Sequence, residues 1–208
     1  DDFRPESHSP VNYDFSDMDI LEEIKPDKYW NERKKYCLRK VYTNLTKLIE
    51  DSKAPRNISL ATFKPSEIKE LIIEEDEREW KQEWRDQLKQ LALDFGGEEK
   101  SKERTLIPKL PYKFYYRFID DDGKVSRMMI EDWEIGQLYW NCLRRAGGDE
   151  EAALEKVRQK YWDEFILGDR DIYLFLGTTL QWHQRRASNP FVIIGVFYPK
   201  REDQLSFF

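Results

Sequence analysis

A chain of 208 residues that is 39% hydrophobic and 37% charged has the apolar content of a folded globular domain, not of a collagen-like or disordered segment. No apolar run reaches the roughly 18 residues a membrane span needs, and two cysteines are too few for a disulfide framework. The net charge of −6 is unevenly spread, because residues 1–27 hold nine acids against Arg4 and Lys25 while the remainder sums to +1.

Cys37 and Cys142 both fall in stretches that read as helix, which suits reduced thiols and a cytoplasmic location. The chain opens Asp1-Asp2-Phe3-Arg4-Pro5, with neither an initiator methionine nor a basic-then-apolar leader, and is expected to be a trimmed part of a longer chain. The first 27 residues, with three prolines and little periodicity, read as an acidic extended arm.

From Asp27 to Asp51 the spacing predicts a helix: Leu38, Val41, Tyr42, Leu45, Leu48 and Ile49 recur every three or four residues, with Asp27 as a cap. Ile58 to Phe63 reads as a short strand. Pro65-Ser66-Glu67 then opens a helical turn before a strand at Leu71-Ile72-Ile73. Trp80, Trp84, Leu88, Leu91 and Phe95 predict an amphipathic helix over Glu77 to Phe95, closed by Gly96-Gly97. Glu98 to Arg104 has no apolar residue and reads as a loop. Tyr112 to Ile119 and Val125 to Ile130 form a hairpin about Asp122-Gly123. Asp132 caps a helix that Gly147-Gly148 closes, a second helix follows from Asp149, and Ile172 to Leu176 and Phe191 to Tyr198 read as central strands.

The expected class is α+β, a C-terminal ββααββ sheet with helices packed on it, preceded by a helical region. Its parts are the arm over 1–27, a mixed helical region over 28–97, a linker or loop over 98–110, an α+β core over 111–200 and a tail over 201–208.

Few of the chain's residues form a constellation that carries chemistry. The chain has no phosphate-binding loop, dinucleotide fingerprint, nucleophile elbow, zincin helix or paired CxxC, and only His8 and His183 as imidazoles. No cofactor and no resident metal are expected, and a non-catalytic reading is favoured. Asp120, Asp121 and Asp122, with Glu131, Asp132 and Glu134, leave a metal-dependent nuclease as an alternative. Those two groups stand at opposite ends of one strand, and turn and cap roles already account for Asp122 and Asp132.

Cationic patterning is the stronger signal. Residues 28–47 contain seven bases against Glu32 alone, interleaved with Tyr29, Trp30, Tyr36 and Tyr42. Phosphates release counterions on such a surface, and aromatic faces stack on bases. Arg33, Lys35, Arg39, Lys40 and Lys47 are the expected nucleic-acid contacts, with Arg185 and Arg186 from Trp182-His183-Gln184-Arg185-Arg186 as a second cluster. An ordinary solvated face with its aromatics turned inward is the competing reading.

The C-terminal Gln204-Leu205-Ser206-Phe207-Phe208 resembles the short peptide by which replication and repair proteins attach to the bacterial sliding clamp, with Phe207 where leucine is usual. A sliding clamp or other protein would then be the partner of Gln204, Leu205, Phe207 and Phe208. Packing of Phe207 and Phe208 on their own domain is the competing reading.

Over most of its length the chain is also similar to an uncharacterised family of prokaryotic proteins. The similarity rests on Arg4-Pro5-Glu6-Ser7, Tyr112-Lys113-Phe114-Tyr115-Tyr116-Arg117-Phe118, Ile130-Glu131-Asp132-Trp133-Glu134-Ile135-Gly136, Phe175-Leu176-Gly177-Thr178 and Ile194-Gly195-Val196-Phe197-Tyr198-Pro199. It implies a further segment upstream of Arg4 and no catalytic residue. The function expected from the sequence is a nucleic-acid-associated accessory protein, in DNA maintenance or phage defence, gripping the phosphate backbone. A non-catalytic interaction subunit of a larger complex is the alternative.

Overall fold

The computed structural model describes residues 19, 22–84, 86, 108–179 and 187–202. The helix expected across Asp27 to Asp51 is replaced by two short ones, α1 (Asn31–Cys37) and α2 (Leu45–Asp51), with a two-residue strand β1 (Val41–Tyr42) between them. The Asp27 carboxylate accepts the backbone N–H groups of Tyr29 at 2.8 Å and Asn31 at 3.1 Å, which starts α1. Asn44 caps α2 by accepting the Lys47 N–H at 2.9 Å. Between those caps Val41 and Tyr42 favour a pleated backbone and pair with Thr62 and Phe63, so only Leu45 and Leu48 bury the helical stripe.

The strand β2 (Leu60–Phe63) runs on into β3 (Glu67–Glu75). No helical turn forms at Pro65-Ser66-Glu67, because the Ser66 N–H donates to the Ile119 carbonyl at 2.8 Å and so joins a sheet ladder. The hairpin β4 (Tyr112–Ile119) and β5 (Val125–Met129) turns through Asp121-Asp122-Gly123, where Gly123 takes φ 75°. Its Asp120 carbonyl accepts the Gly123 N–H at 3.1 Å, a turn that ends in the left-handed region and therefore favours glycine. Asp132 caps α3 (Trp133–Arg145) as expected, and Asp149 caps α4 (Glu150–Arg158) by accepting the Ala152 N–H. A π-helical turn, Gln159–Glu164, extends α4, and β6 (Tyr173–Thr178) and β7 (Phe191–Phe197) follow.

These strands make an α+β fold of two sheets. One has the order β1-β2-β6-β7, with β1 and β2 parallel and the rest antiparallel, and the other has the order β3-β4-β5. A parallel bridge between Ile130 and Ile193 joins them, and the Glu131 N–H donates to the Ile193 carbonyl at 2.8 Å. The hairpin thus meets the late strands through its exit and not along its length.

The chain divides into two units, Asp1–Ile72 with Tyr115–Phe208, and Ile73–Phe114. In the first, Phe63, Phe118, Ile135, Val157, Leu174 and Ile193 are fully buried and build the core. Cys37 and Cys142 are half-buried free thiols. Among the described residues no helix is long and apolar enough to cross a membrane.

In the second unit the helix expected over Glu77 to Phe95 is described only at its start, helical at residues 82–84 and 86; the rest of it and the Glu98 to Arg104 stretch lie outside the described residues. Here Asp76 pairs with Lys109 at 2.9 Å and Lys113 at 2.8 Å. Against the opposing effect of its burial, hydrogen bonds from Lys113 and Lys109 hold its carboxyl down at about 2. A carboxyl lowered by folding stabilises the protein above its ordinary value of 3.8, and that contribution is lost as pH falls from there through about 2. After allowance for solvent screening the effect is about 1–2 kcal/mol. Asp76→Asn is therefore expected to flatten the pH dependence of urea stability between about pH 4 and pH 2; an unchanged slope would remove Asp76 as its source.

Candidate functional site

The site begins with an irregularity in the β6–β7 pairing. Phe175 stands opposite Gly195 and Leu176 opposite Ile193, so Ile194 is an extra, bulged residue. Its side chain lies across Gly177, where an added Cβ would come within 3.1 Å of both its Cδ1 and its Cγ2. Gly177 stands opposite Leu60 of β2, so Leu60 and Ile194 flank a position with no side chain and form a low apolar ledge. Leu60 is 52% exposed and Ile194 42%.

The helix α1 is fixed over the same face of the sheet. Trp30, just before it, packs on Phe197 and Tyr198 with ring centroids 5.3 and 5.0 Å apart. At the helix end the Thr62 hydroxyl donates to the Cys37 carbonyl at 2.8 Å. A cleft of about 460 Å³ remains where α1 ends, lined by Tyr36, Arg39 and Lys40 and by the ledge residues Leu60 and Ile194. Such a volume lies in the ~300–1,000 Å³ range of small-ligand sites. Tyr36 is 55% exposed, and partial burial pushes the Cys37 thiol upward.

The sequence-predicted cations meet different fates. Arg39 and Lys40 are exposed on the wall of the cleft, and the Arg39 guanidinium stands 5.2 Å from the Tyr36 ring centroid. Its Nε donates to the Lys35 carbonyl at 3.2 Å, which fixes the side chain at the helix end. The Lys40 ammonium lies 4.9 Å from the Tyr42 ring centroid. Among the described residues neither Arg39 nor Lys40 has a carboxylate within ion-pair distance. Lys35 is held by Glu32 at 2.6 Å, and Lys34 by Glu202 at 2.9 Å. Arg33 donates to the Ile24 carbonyl at 3.4 Å and stands 5.2 Å from the Trp30 ring centroid.

Lys47 belongs to a neighbouring group that is built on Tyr42. The Tyr42 hydroxyl donates to Asp51 at 3.0 Å, and Arg56 pairs with the other oxygen of that carboxylate at 2.7 Å. Burial opposes ionisation of Asp51, but the Arg56 and Tyr42 hydrogen bonds and the Lys47 charge outweigh it and hold the carboxyl low. Lys47 and Arg56 therefore flank one ionised carboxylate, a cluster with positive excess. Arg56 escaped the sequence reading because it lies outside the basic run over 28–47. The ledge escaped it because a bulge has no sequence signal beyond two glycines.

The carboxylates of the hairpin turn are engaged in holding the fold. Asp121 accepts from the Thr43 hydroxyl at 2.6 Å and from the Asn44 amide at 3.1 Å, and Asp122 accepts from Asn44 as well. Asp132 caps α3, accepting the Glu134 N–H at 2.9 Å. Among the described residues no three His, Cys, Asp or Glu side chains are grouped so as to hold a metal ion. Arg185 and Arg186, and Gln204, Leu205, Phe207 and Phe208, lie outside the described residues.

A family model described as a domain of unknown function, DUF8757, matches residues 41–208. No curated protein and no solved structure matches the chain.

Proposed function

Because the chain belongs to the DUF8757 family, whose function is unknown, we propose from the site itself that the protein binds the phosphate backbone of nucleic acid through Arg39 and Lys40. The observation that carries this reading is that both cations stand exposed beside tyrosine rings at an apolar cleft, with no ion-pair partner among the described residues. A cation resting on an aromatic face keeps its charge available to a phosphate, whereas one already paired must first give up its carboxylate. Lys47 and Arg56 extend the positive field beyond the cleft. Lys35 and Arg33, engaged by Glu32 and by the Ile24 carbonyl, fall outside this contact set.

Counterion release makes such binding steeply salt-dependent, with each phosphate contact contributing about 0.7 to the log–log slope for a single strand. Arg39→Gln with Lys40→Gln is expected to make that slope shallower by roughly 1 to 2, read by fluorescence anisotropy of a labelled oligonucleotide across a salt series. Lys35→Gln should change it much less. Binding whose salt slope ignores the double substitution would refute the assignment.

A further inference from the structure

We propose that the cleft receives one unpaired nucleobase, which makes single-stranded nucleic acid the ligand and excludes an intact duplex; this rests on the phosphate-binding reading above. The shape of the cleft is the first ground. Its floor is low because Gly177 has no side chain, and the Ile194 side chain covers that position with Leu60 beside it. A low apolar ledge leaves room for a planar ring to pack across it. The wall is the second ground, since Tyr36 is 55% exposed at the cleft and adds a π-face to the apolar floor. The third is charge: the Arg39 guanidinium is 5.2 Å from the centroid of that same ring, so an anion attached to whatever packs on the ring falls within its reach.

A planar, largely apolar body with an anion joined to it describes a nucleotide. Inside a duplex both faces of each interior base are already stacked, and entry into a cleft between elements requires a base that is out of the stack. Among the described residues the ledge presents Leu60, Gly177 and Ile194, and the Thr62 and Tyr42 hydroxyls that also line the cleft already donate to the Cys37 carbonyl and to Asp51. Stacking with no side-chain reading of base edges gives affinity that tolerates sequence.

The test is anisotropy with the full chain and three labelled probes of equal length: a thymidine single strand, its blunt duplex, and a strand with abasic sites. The expected result is at least tenfold tighter binding to the intact strand than to the other two. Leu60→Ala with Ile194→Ala, and separately Tyr36→Ala, should each weaken the single-strand affinity roughly 5- to 100-fold, the range for losing one base stack, while the salt slope stays as in the parent. Thermal melting of each variant within a few degrees of the parent establishes that it is folded; the side chains concerned are exposed. Equal affinity for strand and duplex, or a strand preference that survives these substitutions, overturns the base-in-cleft proposal and leaves the phosphate reading intact. No salt-dependent binding to any probe overturns both.

Discussion

Tyr116→Ala is expected to destabilise the protein by about 3–5 kcal/mol, measured as the shift in urea midpoint at constant slope. Tyr116 is fully buried on β4, and its loss removes a large ring from the centre of the first unit. Its hydroxyl matters separately, because it donates to the backbone carbonyl of Tyr161. That carbonyl is available through the π-helical turn. In a regular α-helix it would accept the Phe165 N–H, but here that N–H donates to Lys160 at 3.3 Å. Burial also pushes the Tyr116 phenol far above its usual range, so it remains a donor at every accessible pH. Tyr116→Phe should therefore cost about 1–2 kcal/mol by leaving one buried acceptor without its donor. A phenylalanine variant as stable as the parent would show that the carbonyl finds another partner.

Asp120 produces the second large effect. It is 1% exposed, and its two oxygens accept the Leu45 N–H at 3.2 Å and the Lys124 N–H at 2.9 Å. One carboxylate thereby ties the start of α2 to the hairpin, across 75 residues of sequence. Asp120→Ala leaves both donors without an acceptor and is expected to cost about 2–4 kcal/mol. Asparagine should not rescue it: a side-chain amide has one acceptor oxygen, and its NH₂ would face whichever backbone N–H remained. The check is to compare urea midpoints of the alanine and asparagine variants. Full recovery by asparagine would mean that only one of the two contacts matters.

Much of the C-terminal half was legible because its signals are local. The Asp132 cap, the helix start at Asp149, the Gly147-Gly148 stop and the Asp122-Gly123 turn each depend on residues within a few positions. The N-terminal half was harder to read, because the decisive contacts there are remote. Val41 and Tyr42 fit a helical stripe by spacing, yet they are drawn into a strand by Thr62 and Phe63. Ser66 looked like a helix opener until Ile119 accepted its N–H. The candidate site divides in the same way. Charge density pointed to the segment holding Arg39 and Lys40, but which of its cations stay unpaired depends on partners such as Glu202, 168 residues from Lys34. The ledge depends on strand register, which no local pattern reveals.

The bridge at Ile130 and Ile193 has a consequence for the outline of the joined sheets. It ties the exit of β5 to the middle of β7 at one point, and in the order of the described strands it leaves β1, which is two residues long, and β3 at the far ends. Along β3 the side chains of Glu67, Lys69, Glu70, Glu74 and Glu75 place charge on the rim. A neighbouring copy seeking to add a strand would meet either a template too short to grip or a row of ions it must strip of water. At these two end strands the arrangement works against fibril-type stacking.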